Sequence, residues 1–215
     1  LGDLLKKLPL QSYKFLIKKN KKMKIIVITG GIATGKSTIL KQFRFLGANS
    51  FSSDEMVNDI YKKDKDFFLK IRNLYPQVIE KGKIDKKNLS NLAFKNEEVL
   101  NNLEQIIYPK LIRKRAKIIK NSFLNNISRI VFEIPLLFEK KIDKGFDLVV
   151  TTKCNKELQM KRYLKRKNTN LKKFNFINNK FFESSKRFKN SDHIINTGNG
   201  MNHSLLSIKK IMKNI

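Results

Sequence analysis

The 215-residue chain carries 47 lysines and arginines against 18 acidic residues, a net charge of +29, with 40% hydrophobic and 10% aromatic residues. That apolar content excludes a mainly disordered chain, and the length suits one compact domain with a substantial insertion. A single cysteine, Cys154, and two histidines exclude an intramolecular disulfide, a cysteine metal cluster and zinc-ligand spacing, which points to a reducing, cytoplasmic setting.

Residues 1–22, LGDLLKKLPLQSYKFLIKKNKK, begin with Leu, contain Pro9 and end in a lysine run directly before Met23. They read as an N-terminal extension outside a domain spanning 23–215, with Met23 a plausible natural start. Attachment to a membrane surface through Leu4, Leu5, Leu8 and Phe15 is the alternative. No apolar run is long enough to span a bilayer, so a soluble protein without a membrane partner is expected.

The run KIIVIT (24–29) is apolar and β-branched, the form of a parallel strand buried on both faces. After a glycine loop, Ile39, Leu40, Phe43 and Leu46 recur at helical spacing and stop at Gly47. ANSFSSD (48–54) is a weaker second strand. From about 56 to 125 the pattern is helical, broken at Pro76, Gly82 and Pro109, with no evident strand. RIVFEIPLLF (129–138), FDLVVTT (146–152) and DHIINTG (192–198) supply three more strands. Asn155 is expected to cap a helix running to about Lys167, and Asn202 one running to the C-terminus. Between them, Phe174, Phe176, Ile177, Phe181 and Phe182 predict a packed or hinged helix. The order implies an α/β fold: a five-stranded parallel sheet with flanking helices, a helical insertion at about 56–125 and a lid at about 165–187.

Gly30, Gly35, Lys36 and Ser37 satisfy G-x-x-x-x-G-K-[ST] between a strand and a helix. Glycines allow turns closed to other residues, so amide groups from about Ala33 to Thr38 can face phosphate oxygens at the positive end of the helix. Lys36 places a compact charge between the β- and γ-phosphates, and the Ser37 hydroxyl is a Mg²⁺ ligand. ATP and Mg²⁺ are the expected cofactors. A guanine reader is missing, since NKEL (155–158) lacks the acid. A long helical insertion after the second strand favours a small-molecule kinase, with the insertion gripping the acceptor.

Four blocks in order are more particular: TGGIATGKST (29–38), SSD (52–54), EIPLLFE (133–139) and SDHIINTG (191–198). Through them the chain, from Met23 onward, resembles the dephospho-coenzyme A kinases, P-loop enzymes that use ATP to phosphorylate the ribose 3′-hydroxyl of dephospho-coenzyme A, the final step of coenzyme A synthesis. The resemblance implies that Asp54 orients the acceptor hydroxyl and accepts its proton; SSDEMV also has the form of a helix N-cap. Glu133, ending a buried strand, is placed to hold a magnesium-bound water, or simply to close the strand by hydrogen bonding. Pro135, Leu136 and Leu137 form the wall under the acceptor, and Glu139 reaches a polar part of it. The donor site takes in Gly31, Ala33, Thr34, Gly35, Lys36, Ser37 and Thr38, with Asn196 and Gly198 on a closing loop beside adenine. Arg162 and Arg166, four apart on one helix, share a face and converge on the phosphates; a solvated basic face is the alternative. Arg187 is a further lid candidate. Two departures stand out: Ser52 replaces an aspartate of the family, and Tyr108 before Pro109 replaces a histidine on the acceptor side. The segment after the lid, where the family carries glutamine, reads Phe181 or Phe182.

Only eight of the 47 basic residues are arginine. The lysines are scattered beside asparagine and isoleucine without a basic stripe interleaved with aromatics, so no obligatory nucleic-acid partner is expected. The alternatives to the kinase reading are phosphorylation of another nucleotide or small acceptor, and a nucleic-acid-binding ATPase.

Overall fold

The computed structural model describes residues 23–167, 169–179, 181 and 184–215. The expected extension at 1–22, and Phe182, lie outside the described residues. The described chain forms two compact units, one of residues 54–120 and one of residues 23–53 with 121–215.

The larger unit is built on five parallel strands: β1 (Lys24–Gly30), β2 (Asn49–Ser52), β5 (Arg129–Glu133), β6 (Leu148–Lys153) and β7 (His193–Asn196), in the order β2-β5-β1-β6-β7. β1 and β5 are almost wholly buried, as continuous apolar runs between helical layers must be. Two carboxylates fix strand starts: Asp147 accepts from the Ile25 amide and Asp192 from the Val149 amide, both at 2.7 Å. On one face, α1 (Lys36–Phe45) and α9 (Met201–Lys213) close a core of Ile26, Ile28, Ile39, Phe43, Val131, Val150, Ile195 and Ile208. All five strands run the same way, so their C-terminal ends share one edge, where ligands of open α/β sheets bind.

Two sequence expectations, on the end of the helix after Asn155 and the start of α9, are corrected, and the packed, hinged segment between them is found. α6 (Lys156–Leu164) is capped by Asn155, which accepts from the Leu158 amide at 2.8 Å, but it stops at Leu164, so Arg166 lies beyond the helix. The segment after it holds two helices, α7 (Leu171–Asn178) and α8 (Ser184–Lys189), with Phe174 packed on Tyr163 at 5.4 Å between ring centroids. α9 starts at Met201 behind Gly200, so Asn202 lies inside its first turn.

The unit of residues 54–120 carries most of α2 (Ser53–Lys63), α3 (Lys65–Leu74), α4 (Lys86–Lys95) and most of α5 (Glu97–Leu124). It also contains a small antiparallel hairpin, β3 (Ile79–Glu80) with β4 (Lys83–Ile84), where no strand was expected. Lys81 and Gly82 both have positive φ, as a two-residue hairpin turn requires, so Gly82, expected as a break in the helical pattern, turns a hairpin between two short strands. Pro109, by contrast, breaks nothing, and α5 runs through it over its 28 residues. Proline inside a helix costs about 3 kcal/mol, and burial of Leu103, Leu111, Ile112 and Ile119 on the same helix outweighs it. Lys110 bonds Asp64 at 2.8 and 2.9 Å and Asp66 at 2.8 Å, while Lys114 reaches Asp59 at 3.2 Å, tying α5 to α2 and α3.

Candidate active site

β1 ends at Gly30 with φ 143°, and a Cβ there would lie 2.4 Å from Thr152 Oγ1 and 2.7 Å from its carbonyl oxygen. Only glycine lets the loop turn that close to β6. The chain then passes through Ala33 (φ 54°) and Gly35 (φ 93°), two left-handed residues that reverse the peptide planes before α1 begins. Carbonyls of this loop are held from outside. Thr34 Oγ1 lies 2.8 Å from the Gly31 oxygen and 2.7 Å from Thr152 Oγ1, Gln159 Nε2 donates to the Ile32 oxygen at 2.7 Å, and Thr197 Oγ1 donates to the Thr34 oxygen at 2.8 Å. With the carbonyls drawn outward, a concave run of amides at a helix N-terminus is what remains for an anion. The Thr38 amide bonds the Gly35 carbonyl at 3.0 Å in the first turn of α1.

Lys36 is buried, its ammonium donating to the oxygens of Gly30 at 3.0 Å and Gly31 at 2.7 Å. Ser37, next on α1, donates to Glu133 Oε1 at 3.2 Å. These two residues are 96 positions apart and meet because β5 lies beside β1 in register, Ile28 opposite Glu133. A hydroxyl and a carboxylate at this spacing are hard oxygen donors of the kind Mg²⁺ takes, usually completed by water and substrate phosphates. No cluster of three or more His, Cys, Asp or Glu is found among the described residues. Glu133 is 4% exposed, and its backbone oxygen accepts from Ser53 Oγ at 2.6 Å. That bond pins the start of α2 to the end of β5, and Asp54 is the next residue, exposed in the first turn of α2. Ser52, where the resembling family has an aspartate, is buried directly opposite Glu133 in the strand pairing.

The segment after β5 is held by Thr29 Oγ1, which donates to the Pro135 oxygen at 3.0 Å. Pro135, Leu136 and Glu139 are at least half-buried, and Leu137 is completely buried. Tyr108 lies on α5 in the other unit, half-buried.

The basic residues are arranged differently from the expectation. Arg162 donates through Nη1 to Thr197 Oγ1 at 2.8 Å and through Nη2 to the Thr197 oxygen at 3.0 Å, so it braces the loop after β7. Arg166 is exposed beyond the end of α6. The two arginines therefore do not share the helical face that their spacing suggested. Arg187 instead comes to the phosphate loop: its Nη1 is 3.2 Å from where a Gly31 Cβ would stand, and its guanidinium lies 5.5 Å from the centroid of the Phe181 ring. The Lys36 ammonium approaches the same ring at 5.9 Å. Arg187 is 7% exposed, and burial pulls its pKa down while Glu139 pushes it back up. Two cations converging on one ring beside the loop concentrate positive charge there, and its natural complement is a polyphosphate.

Asn196 shapes the closing loop, its side chain accepting from the Gly198 amide at 3.0 Å and donating to Asn199 at 3.0 Å. Gly198 is tightly fitted, since a Cβ there would stand only 3.1 Å from Asn196 Oδ1. Thr152, Gln159 and Thr197 were missed as site residues, and Phe181 was marked only as part of the lid segment. Thr197 carried a sequence signal through its place in INTG, whereas Thr152 and Gln159 act through side-chain direction set by remote packing.

The family model for dephospho-CoA kinase matches residues 24–203. A dephospho-CoA kinase of Bartonella quintana is 36% identical over 193 residues, covering 90% of this chain and 98% of its own length. One from Bartonella henselae is 37% identical over 196 residues, covering 89% and 100%. Among solved structures, TT1252 from Thermus thermophilus superposes with a TM-score of 0.77 at 21% identity, covering 90% of this chain and 98% of its own. A dephospho-CoA kinase from Campylobacter jejuni gives 0.61 at 24%, covering 90% and 97%. The phosphate loop, the Ser37–Glu133 pair and a family match running from β1 into α9 lead to one conclusion: the chain belongs to the dephospho-CoA kinase family.

Proposed function

We propose that the chain transfers the γ-phosphoryl group of Mg-ATP to the ribose 3′-hydroxyl of dephospho-CoA. Family membership makes it a phosphotransferase that uses ATP. The observation that carries the residue assignment is the Ser37–Glu133 contact of 3.2 Å at the mouth of the phosphate loop. When bound there, Mg²⁺ neutralises charge on the β- and γ-phosphates and helps align the group in flight.

The loop amides cradle the β-phosphate, and Lys36 exchanges the carbonyls of Gly30 and Gly31 for phosphate oxygens. Arg187 meets the equatorial oxygens of the transferring group, where its fixed fork stabilises charge without reorganisation. Arg162 acts as a positioning residue through Thr197, which in turn holds the Thr34 carbonyl away from the nucleotide. Asp54, anchored next to Ser53, orients the acceptor hydroxyl and takes its proton as the new P–O bond forms, the leaving ADP departing with the β–γ bridging oxygen.

The test is ADP release by the purified chain with and without dephospho-CoA. Release dependent on dephospho-CoA, with 3′-phosphorylated product identified by mass, supports the reading. Release stimulated equally by AMP, by RNA or by no acceptor overturns it.

A further inference from the structure

The connection from α8 to β7 is bound to the sheet through hydroxyl groups. α8 ends at Lys189, so the carbonyls of its last turn lack the amides that a longer helix would supply. The Ser191 amide takes the Phe188 oxygen at 3.3 Å, and the Ser191 hydroxyl takes the Arg187 oxygen at 2.6 Å. Thr151 Oγ1 of β6 lies 2.5 Å from Ser191 Oγ. A hydroxyl has one proton to give and a carbonyl can only accept, so Ser191 donates to Arg187 and Thr151 donates to Ser191. Thr151 is fully buried between β1 and β7, opposite Thr29 and Ile194 in the strand pairing. Beside it, Asp192 accepts from the Val149 amide at 2.7 Å and returns its own amide to the Val149 oxygen at 3.0 Å. Ser191 and Asp192 are therefore clamped to β6.

The next residue of β6 holds the phosphate loop. Successive strand residues point to opposite faces, and Thr152 Oγ1 meets Thr34 Oγ1 at 2.7 Å. Thr34 Oγ1 also reaches the Gly31 oxygen at 2.8 Å. Two short chains of hydroxyls thus leave adjacent threonines of one strand, one ending on the carbonyl of Gly31 and the other on the carbonyl of Arg187. Arg187 Nη1 comes within 3.2 Å of the place a Gly31 Cβ would take, so the separation of loop and cation is set from a common strand. The guanidinium also donates to Ser184 Oγ at 3.2 Å, a bond inside α8 that travels with the helix. Where α8 is fixed, the guanidinium is fixed.

We infer that Ser191, held by Thr151, is a positioning residue that sets the Arg187 guanidinium against the phosphate loop. Its effect on phosphoryl transfer rests on the proposed role of Arg187, whereas the placement of that side chain does not. A preorganised cation stabilises developing charge only from the right position, and a displacement of about 1 Å can cost about 100-fold in rate.

Ser191→Ala removes the hydroxyl, Ser191→Thr keeps it, and Thr151→Val removes its support with little change of shape, so it also stands in should Ser191→Ala not fold. Steady-state kinetics should show kcat lowered about 10- to 100-fold in Ser191→Ala with the KM for ATP changed less than about threefold, and nearly full kcat in Ser191→Thr. In an Arg187→Met background Ser191→Ala should cost nothing further, because the group it places is gone. Where Arg187→Met lowers kcat, additive losses in the double variant or an unaltered kcat in Ser191→Ala overturn the inference. A second measurement reads placement without turnover: labelling by phenylglyoxal, which attacks guanidinium groups, with mass spectrometry of the peptide carrying Arg187. Labelling should be at least about fivefold faster in Ser191→Ala and Thr151→Val than in the parent and Ser191→Thr, all below their melting temperatures. Equal labelling in the four chains makes Ser191 a structural residue and overturns the inference even if kcat falls. If Arg187→Met keeps full kcat, or the parent shows no turnover with dephospho-CoA, the kinase reading of Arg187 is what fails, and the labelling alone decides for or against the placement.

Discussion

Replacing Thr197 by valine removes one hydroxyl and keeps the shape. That oxygen accepts from Arg162 Nη1 at 2.8 Å and lies within donating distance of the Thr34 oxygen at 2.8 Å and the Lys153 oxygen at 3.3 Å. A hydrogen bond to a charged group contributes about 1.5–3 kcal/mol, and a neutral one about 0.5–1.5 kcal/mol. Thr197→Val is therefore expected to destabilise by about 2–4 kcal/mol, a fall in melting temperature of roughly 5–15 °C for a chain of this size. A Thr34 carbonyl no longer held outward competes with phosphate for the same space, so the KM for ATP should rise at least about tenfold. Arg162→Met removes the same bond from its other end. The double variant should consequently lose less than the sum of the two, with a coupling of about 1.5 kcal/mol or more in melting and in KM for ATP. Thermal unfolding and steady-state kinetics on the four chains complete the cycle. Strictly additive effects, or a loss of kcat in Arg162→Met that Thr197→Val does not share, would mean that Arg162 touches the phosphates itself and would refute its assignment as a brace.

Arg187→Met should lower kcat by about 10²- to 10³-fold with a smaller change in KM, since the charge it meets develops in the transition state; an unaltered kcat in steady-state assays would remove it from the mechanism. Ser37→Ala and Glu133→Gln should each raise the Mg²⁺ concentration for half-maximal rate about 10- to 100-fold, read from magnesium titrations at fixed ATP. Asp54→Asn should cost about 10²- to 10⁴-fold in kcat while leaving nucleotide binding intact, and a near-normal single-turnover rate would end its role as base. The folded-state pKa of Asp64 is lowered because its bonds from Lys110 and Phe67 outweigh desolvation, and Asp59 is lowered by Lys114. Their contribution is then present above the unfolded carboxylate pKa of about 4 and lost as pH falls through the lower folded values. Chemical denaturation should show stability declining below about pH 4, with a shallower decline in Lys110→Met.

The glycine loop was fully legible in the sequence, because glycine spacing, a buried β-branched run before it and helical periodicity after it all act over a few residues. The five strands of the large sheet were legible for the same reason, and EIPLLFE marked Glu133 without reference to any coordinate. The hairpin at 79–84 escaped because strands of two residues have no periodicity to detect, and Pro109 misled because the penalty is local while the burial that overcomes it is spread along 28 residues of α5. Arginine roles were decided only by tertiary structure. Arg162, Arg166 and Arg187 look alike in sequence, yet α6 stops at Leu164, Thr197 claims Arg162, and Phe181 holds Arg187 against the loop. Local order determined where the glycine loop lies between strand and helix. Which cation comes to that loop, and that Ser37 finds Glu133 across 96 residues, depended on the direction of long side chains, and packing between distant segments alone decides that direction.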